Sequence, residues 1–73
     1  MKVAIIGLGF MGGMHAQIYT ALPGVELVAV ADINVEGTNT KVAEMGLNAQ
    51  VFPDLQTLLN SIDVDVIDIC VPT

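Results

Sequence analysis

Lys2-Val3-Ala4-Ile5-Ile6-Gly7-Leu8-Gly9-Phe10-Met11-Gly12 is the stretch whose reading decides the fold. Lys2 to Ile6 is a short β-branched apolar run that stops at a glycine, the pattern of a strand buried on both faces. From Phe10 the period changes. Met11, Met14, Ile18 and Leu22 recur every three or four residues, which predicts a helix with that stripe turned to the core, ended by Pro23-Gly24. Glu26 to Ala31 is a second buried strand, closed by Asp32. Together these form a strand-helix-strand unit of about 30 residues, for which a right-handed crossover is expected.

Further along the chain the alternation repeats. Asn34 is placed to cap a second helix, with Val35, Val42 and Met45 on its inner side and Gly46 as its stop, although Gly37, Thr38 and Thr40 lower its propensity. Gln50 to Phe52 is a minimal third strand. Asp54 caps a third helix that carries Leu55, Leu58, Leu59 and Ile62, and Val64 to Val71 forms the last strand before Pro72-Thr73. This β-α-β-α-β-α-β order predicts an α/β fold: a three-layer Rossmann-type half-domain with a parallel sheet in the order 3-2-1-4. Residues 1–73 read as one domain, truncated after its fourth strand. The order reverses between strands 1 and 4, so Gly7 and Val71-Pro72-Thr73 are expected to flank a ligand crevice.

Composition narrows the function classes. Eight acidic residues against Lys2 and Lys41 give a net charge of −6, with no arginine, which argues against nucleic acid. Any anionic ligand must then be held by backbone N–H groups and a helix dipole. The chain is 53% hydrophobic, but no apolar run reaches the roughly 20 residues that cross a bilayer. No secretory leader precedes the first strand, and the single Cys70 forms no internal disulfide, so a cytoplasmic protein is expected.

Gly7, Gly9 and Gly12 follow a buried strand and open a helix, and Asp32 ends the next strand twenty residues after Gly12. That context makes the glycines a dinucleotide fingerprint. Gly7 permits the tight turn, Gly9 leaves room for a pyrophosphate, and Gly12 lets the helix lie close on the sheet. The N–H groups of Phe10 and Met11 then face the anion. Asp32 would accept hydrogen bonds from the adenosine ribose and repel a 2'-phosphate, so NAD is preferred over NADP. A methyltransferase would carry an acid just before the glycines, and a kinase loop would continue into a hairpin. A flavin remains the rival ligand.

With Gly7-x-Gly9-x-x-Gly12-x-x-His15 in place, the chain resembles the N-terminal segment of the Gfo/Idh/MocA oxidoreductases, the glucose-fructose oxidoreductase and inositol dehydrogenase group. The likeness runs through Val28-Ala-Val-Ala-Asp32 to Val64-Asp-Val-Ile-Asp-Ile-Cys-Val-Pro-Thr73. It implies NAD- or NADP-linked oxidation of a sugar or polyol hydroxyl, with hydride passing to the nicotinamide. The family's catalytic lysine and substrate domain have no counterpart here, since Lys2 begins a strand and Lys41 lies on the second helix. The chain is therefore expected to bind a dinucleotide without turning over substrate, and no residue in it is assigned a catalytic role. The alternative is a noncatalytic fragment or engineered half-domain acting as a folding or self-assembly module. Either way a homodimer through an exposed sheet edge or face is expected.

The remaining polar and sulfur-bearing residues take structural readings first. His15 falls four residues after Met11 and either packs and hydrogen-bonds or reaches the ligand. Asp65 and Asp68 point to opposite faces of a strand, which argues against paired acid-base work and for a hydrogen-bonded Asp68. Cys70 reads as a small buried hydrophobe, and Met11, Met14 and Met45 as core residues. The lone cysteine and scattered carboxylates offer no metal-ligand spacing along the chain, so no metal is expected. Val71, Pro72 and Thr73 are candidates for cofactor contact.

Overall fold

A computed structural model describes residues 1–70. Four strands alternate with three helices: β1 (Lys2–Ile6), α1 (Phe10–Ala21), β2 (Glu26–Ala31), α2 (Val35–Glu44), β3 (Gln50–Phe52), α3 (Leu55–Ser61) and β4 (Val66–Ile69). The strands are all parallel and run in the order β3-β2-β1-β4, as the alternation predicts. The last strand is shorter than the expected Val64 to Val71. Its backbone pairing nevertheless extends beyond its ends, because Asp65 N–H donates to Lys2 O and Cys70 N–H to Ile6 O. Val71, Pro72 and Thr73 lie outside the described residues.

The core has two halves, one on each side of the sheet. Ala4, Ala29, Ala31 and Phe52 pack with Leu58 of α3 on one side. Ile5, Leu27 and Val30 pack with Ala16 of α1 and Val42 of α2 on the other, which gives three layers. The central strands β1 and β2 contribute to both halves, and Val3, Ala4 and Ile5 of β1 are wholly buried. Fully burying a valine or isoleucine side chain, as at Val3 and Ile5, stabilises the fold by about 1.5–3 kcal/mol.

Local signals set the helix ends. Asn34 Oδ1 accepts from Gly37 N–H at 3.1 Å and Asp54 Oδ1 from Thr57 N–H at 2.7 Å, so α2 and α3 carry the expected side-chain caps. The Asp54 carboxyl lies below its usual pKa, chiefly because that backbone N–H stabilises the charged form. The buried face of α2 includes Thr38 beside Val42, with Val35 and Met45 half-buried.

The expected orientation of α1 is wrong. Met11, Met14, Ile18 and Leu22 are exposed, and the face toward the sheet is Gly12 and Ala16, with His15 and Tyr19 half-buried. The reason is the approach distance. A Cβ on Gly12 would stand 2.1 Å from Gly7 O, so α1 lies too close to the end of β1 for large side chains to fit beneath it. Among the described residues, no helix is long and apolar enough to cross a membrane.

Candidate functional site

The carboxyl ends of the strands open onto one crevice of about 1020 Å³. Gly7 follows β1 there, Asp32 follows β2, Asp54 follows β3, and Cys70 follows β4. Gly9 and Met11 form the wall made by the start of α1. This places the crevice where the strand order reverses, the position at which open parallel sheets bind ligands.

Each fingerprint glycine has a geometry that accounts for it. Gly7 has a φ of 89°, in the left-handed region that other residues seldom adopt. Gly12 lets α1 touch the sheet, as described above. Gly9 is exposed, and a Cβ there would meet nothing within 4 Å, so its missing side chain leaves open space above the turn. Gly9 is also the N-cap of α1 and offers no side-chain acceptor, and the first turn carries no acid. Gly13 N–H makes its helical bond to Gly9 O at 2.8 Å, which leaves the N–H groups of Phe10 and Met11 ahead of it without a carbonyl one turn earlier in the helix. Among the three helices, α1 alone starts without a side-chain cap, and it starts at the crevice.

The turn is held from both sides. Asp32 Oδ2 accepts from Leu8 N–H at 3.1 Å, while its Oδ1 accepts from Asn34 N–H at 3.1 Å. Lys41 Nζ donates to Leu8 O at 3.1 Å, and the Leu8 side chain is buried among Ile5 and Ala16. Sequence reasoning assigned Asp32 to a ligand and did not see that it also braces the turn. It placed Lys41 on the second helix but missed its contact with the turn, because 33 residues separate it from Leu8 and no local motif links them. The one available signal was that only two cationic side chains exist. Ile33 was also missed, although it lines the crevice and is 94% exposed.

A second group of polar side chains joins α1 to β4. Asp68 Oδ2 accepts from Tyr19 Oη at 2.7 Å and lies 2.6 Å from His15 Nδ1. Cys70 Sγ stands 3.3 Å from His15 Nδ1 and 3.5 Å from Asp68 Oδ1. Burial alone would raise the Asp68 carboxyl, but hydrogen bonds from Tyr19, His15 and Cys70 outweigh it and hold its pKa below the usual value. The same bond to Asp68, helped by burial, pushes Tyr19 up to about 12. Burial first, and then Asp68, push the Cys70 thiol up as well. Asp68 is hydrogen-bonded as expected, and Asp65 serves elsewhere, accepting from Lys2 N–H at 2.7 Å at the start of β1. The chain shows no metal-ligand spacing, yet the fold brings His15 to Asp68 and Cys70 across more than 50 residues, so that one ligand atom from each lies within 4.8 Å of the others.

Comparison with known proteins gives a consistent picture. A family described as an oxidoreductase family with an NAD-binding Rossmann fold, GFO_IDH_MocA, matches residues 1–73. The chain is 43% identical over 68 residues to an inositol 2-dehydrogenase/D-chiro-inositol 3-dehydrogenase of Lacticaseibacillus casei, covering 92% of this chain and 20% of the relative. A myo-inositol dehydrogenase from Lactobacillus casei, solved with NAD(H) and myo-inositol, superposes with a TM-score of 0.85 at 41% identity, over 96% of this chain and 21% of that one. A myo-inositol dehydrogenase from Corynebacterium glutamicum gives a TM-score of 0.87 at 29% identity, over 99% and 21%. The chain thus spans about a fifth of the length of the relatives it matches.

Proposed function

The chain belongs to the Gfo/Idh/MocA oxidoreductase family with its NAD-binding Rossmann fold, and from that premise we propose that residues 1–73 are a dinucleotide-binding domain that holds NAD in the crevice at the strand ends. The observation that carries this reading is the uncapped start of α1 beside the open space over Gly9. Backbone N–H groups of Phe10 and Met11 would hold the pyrophosphate, and the α1 dipole favours its negative charge. Gly7 and Gly12 shape the turn that presents those groups. Asp32 accepts two backbone hydrogen bonds and has lone pairs left for ribose hydroxyls, while its charge opposes a 2'-phosphate. Ile33 offers an exposed apolar surface to the base. Val71, Pro72 and Thr73 are proposed to contact the cofactor from the β4 end.

Bound NAD would supply a hydride acceptor, and the proposed reaction of the whole protein is oxidation of a hydroxyl on a polyol such as an inositol. The residues of this chain bind and orient the cofactor and leave catalysis to other parts. Lys2 stands at the start of β1, at the opposite end of the strand from the crevice, and Lys41 is engaged with Leu8 O. A second proposal is that copies of the chain pair through β4, which among the described residues is hydrogen-bonded to β1 alone and exposes Val66, Ile67 and Ile69.

The binding proposal is tested by calorimetric titration of NAD, NADP and ADP-ribose into the chain and into Asp32→Asn. NAD and ADP-ribose should bind comparably and NADP at least about tenfold more weakly, a difference of about 1.4 kcal/mol. Asp32→Asn removes the charge while keeping a side-chain acceptor, so it should narrow the NAD-to-NADP gap. Absence of heat with all three ligands would refute the reading.

A further inference from the structure

We propose that His15, Asp68 and Cys70 form a zinc site at the seam between α1 and β4. The three residues offer one nitrogen, one oxygen and one sulfur ligand, a donor set suited to zinc. A tetrahedral zinc with bonds of about 2.3 Å to sulfur and about 2.0 Å to nitrogen or oxygen sets those ligands about 3.5 Å apart. Cys70 Sγ lies 3.3 Å from His15 Nδ1 and 3.5 Å from Asp68 Oδ1, so the sulfur edges already have the right span.

The contact that must open is the 2.6 Å approach of His15 Nδ1 to Asp68 Oδ2. Zinc takes Oδ1 rather than Oδ2. Oδ2 then keeps its bond from Tyr19 Oη, which orients the carboxylate in the way outer hydrogen bonds orient metal ligands. On binding, the Cys70 thiol gives its proton to solvent, and the imidazole carries its proton on Nε2 so that Nδ1 is free to ligate. Cys70 lines the crevice, so the fourth position opens toward solvent and water completes the tetrahedron. The site draws on no residue assigned to the dinucleotide, and it stands or falls separately from that assignment.

The chain has one histidine and one cysteine, so the unaltered protein can report on both ligands. The chelator-treated full chain is titrated with cobalt(II), read by the thiolate-to-cobalt charge-transfer band, and zinc is then added. We expect one-to-one saturation, loss of the band on zinc addition, and a zinc-dependent shift of the His15 ring resonances in NMR. Cys70→Ser should abolish the band, and Tyr19→Phe should weaken zinc binding by about tenfold through the lost outer hydrogen bond. No band in the unaltered chain, a band without one-to-one saturation, or His15 resonances unmoved by zinc would each overturn the site without recourse to any variant.

Discussion

Gly9 and Gly12 lie three residues apart in one turn and are glycine for different reasons. At Gly12 an added methyl would meet backbone, Gly7 O at 2.1 Å, and backbone cannot swing aside as a side chain can. Gly12→Ala is expected to destabilise the domain by about 3 kcal/mol, read by denaturant unfolding. At Gly9 a methyl meets nothing, and its φ of −85° suits any residue. Gly9→Ala should leave unfolding within about 0.5 kcal/mol of the parent and weaken NAD binding at least about tenfold. Equal loss of stability at both positions would contradict this division. All three glycines and Asp32 were legible in the sequence, because strand, turn, helix and acid lie within one local unit. The brace on Leu8 was not. Its members, Asp32 and Lys41, are brought to the turn by packing of elements distant along the chain, which spacing does not encode.

At the scale of elements, Tyr19 and His15 of α1 meet Asp68 of β4 across the seam between them. Tyr19 is the only tyrosine, so its titration can be followed by tyrosinate absorbance without overlap. In the folded chain it should lose its proton near 12, against about 10 when unfolded. A group whose pKa is raised on folding stabilises the fold fully below its unfolded value. That contribution is lost as pH rises, here between about 10 and about 12. The Asp68 contribution has the opposite sense, present above the ordinary carboxylate range and lost as pH falls through its lowered value. Tyr19→Phe should remove the alkaline part of the stability profile, and Asp68→Ala should return the tyrosine titration toward 10. The strand and helix order was readable because apolar runs, Asn34 and Asp54 mark each boundary locally. The buried face of α1 was misread because hydrophobic period assumes that large residues point inward, and close contact at Gly12 reverses that for this helix.

For the molecule as a whole, the accessible surface is 4521 Å², close to the roughly 4,300 Å² expected of a folded monomer of 7.7 kDa. The amount of surface is ordinary and its character is not. Met11, Met14, Ile18 and Leu22 on α1 and Val66, Ile67 and Ile69 on β4 are all exposed. Apolar surface of this kind, next to a strand paired on one side only, favours association of copies. The net charge of −6 opposes it, and salt screens that repulsion over a Debye length of about 10 Å at 0.1 M. Association through β4 should therefore strengthen as salt is raised, the reverse of what ion pairing across an interface would give. Ile67 is exposed on β4 and does not line the crevice, so Ile67→Lys isolates the edge from cofactor binding. Sedimentation across a salt series should show the parent moving toward dimer and Ile67→Lys remaining monomeric, with NAD affinity unchanged between them. A parent that stays monomeric at every salt concentration would reject pairing through β4, and a variant that dimerises as well as the parent would move the contact to α1.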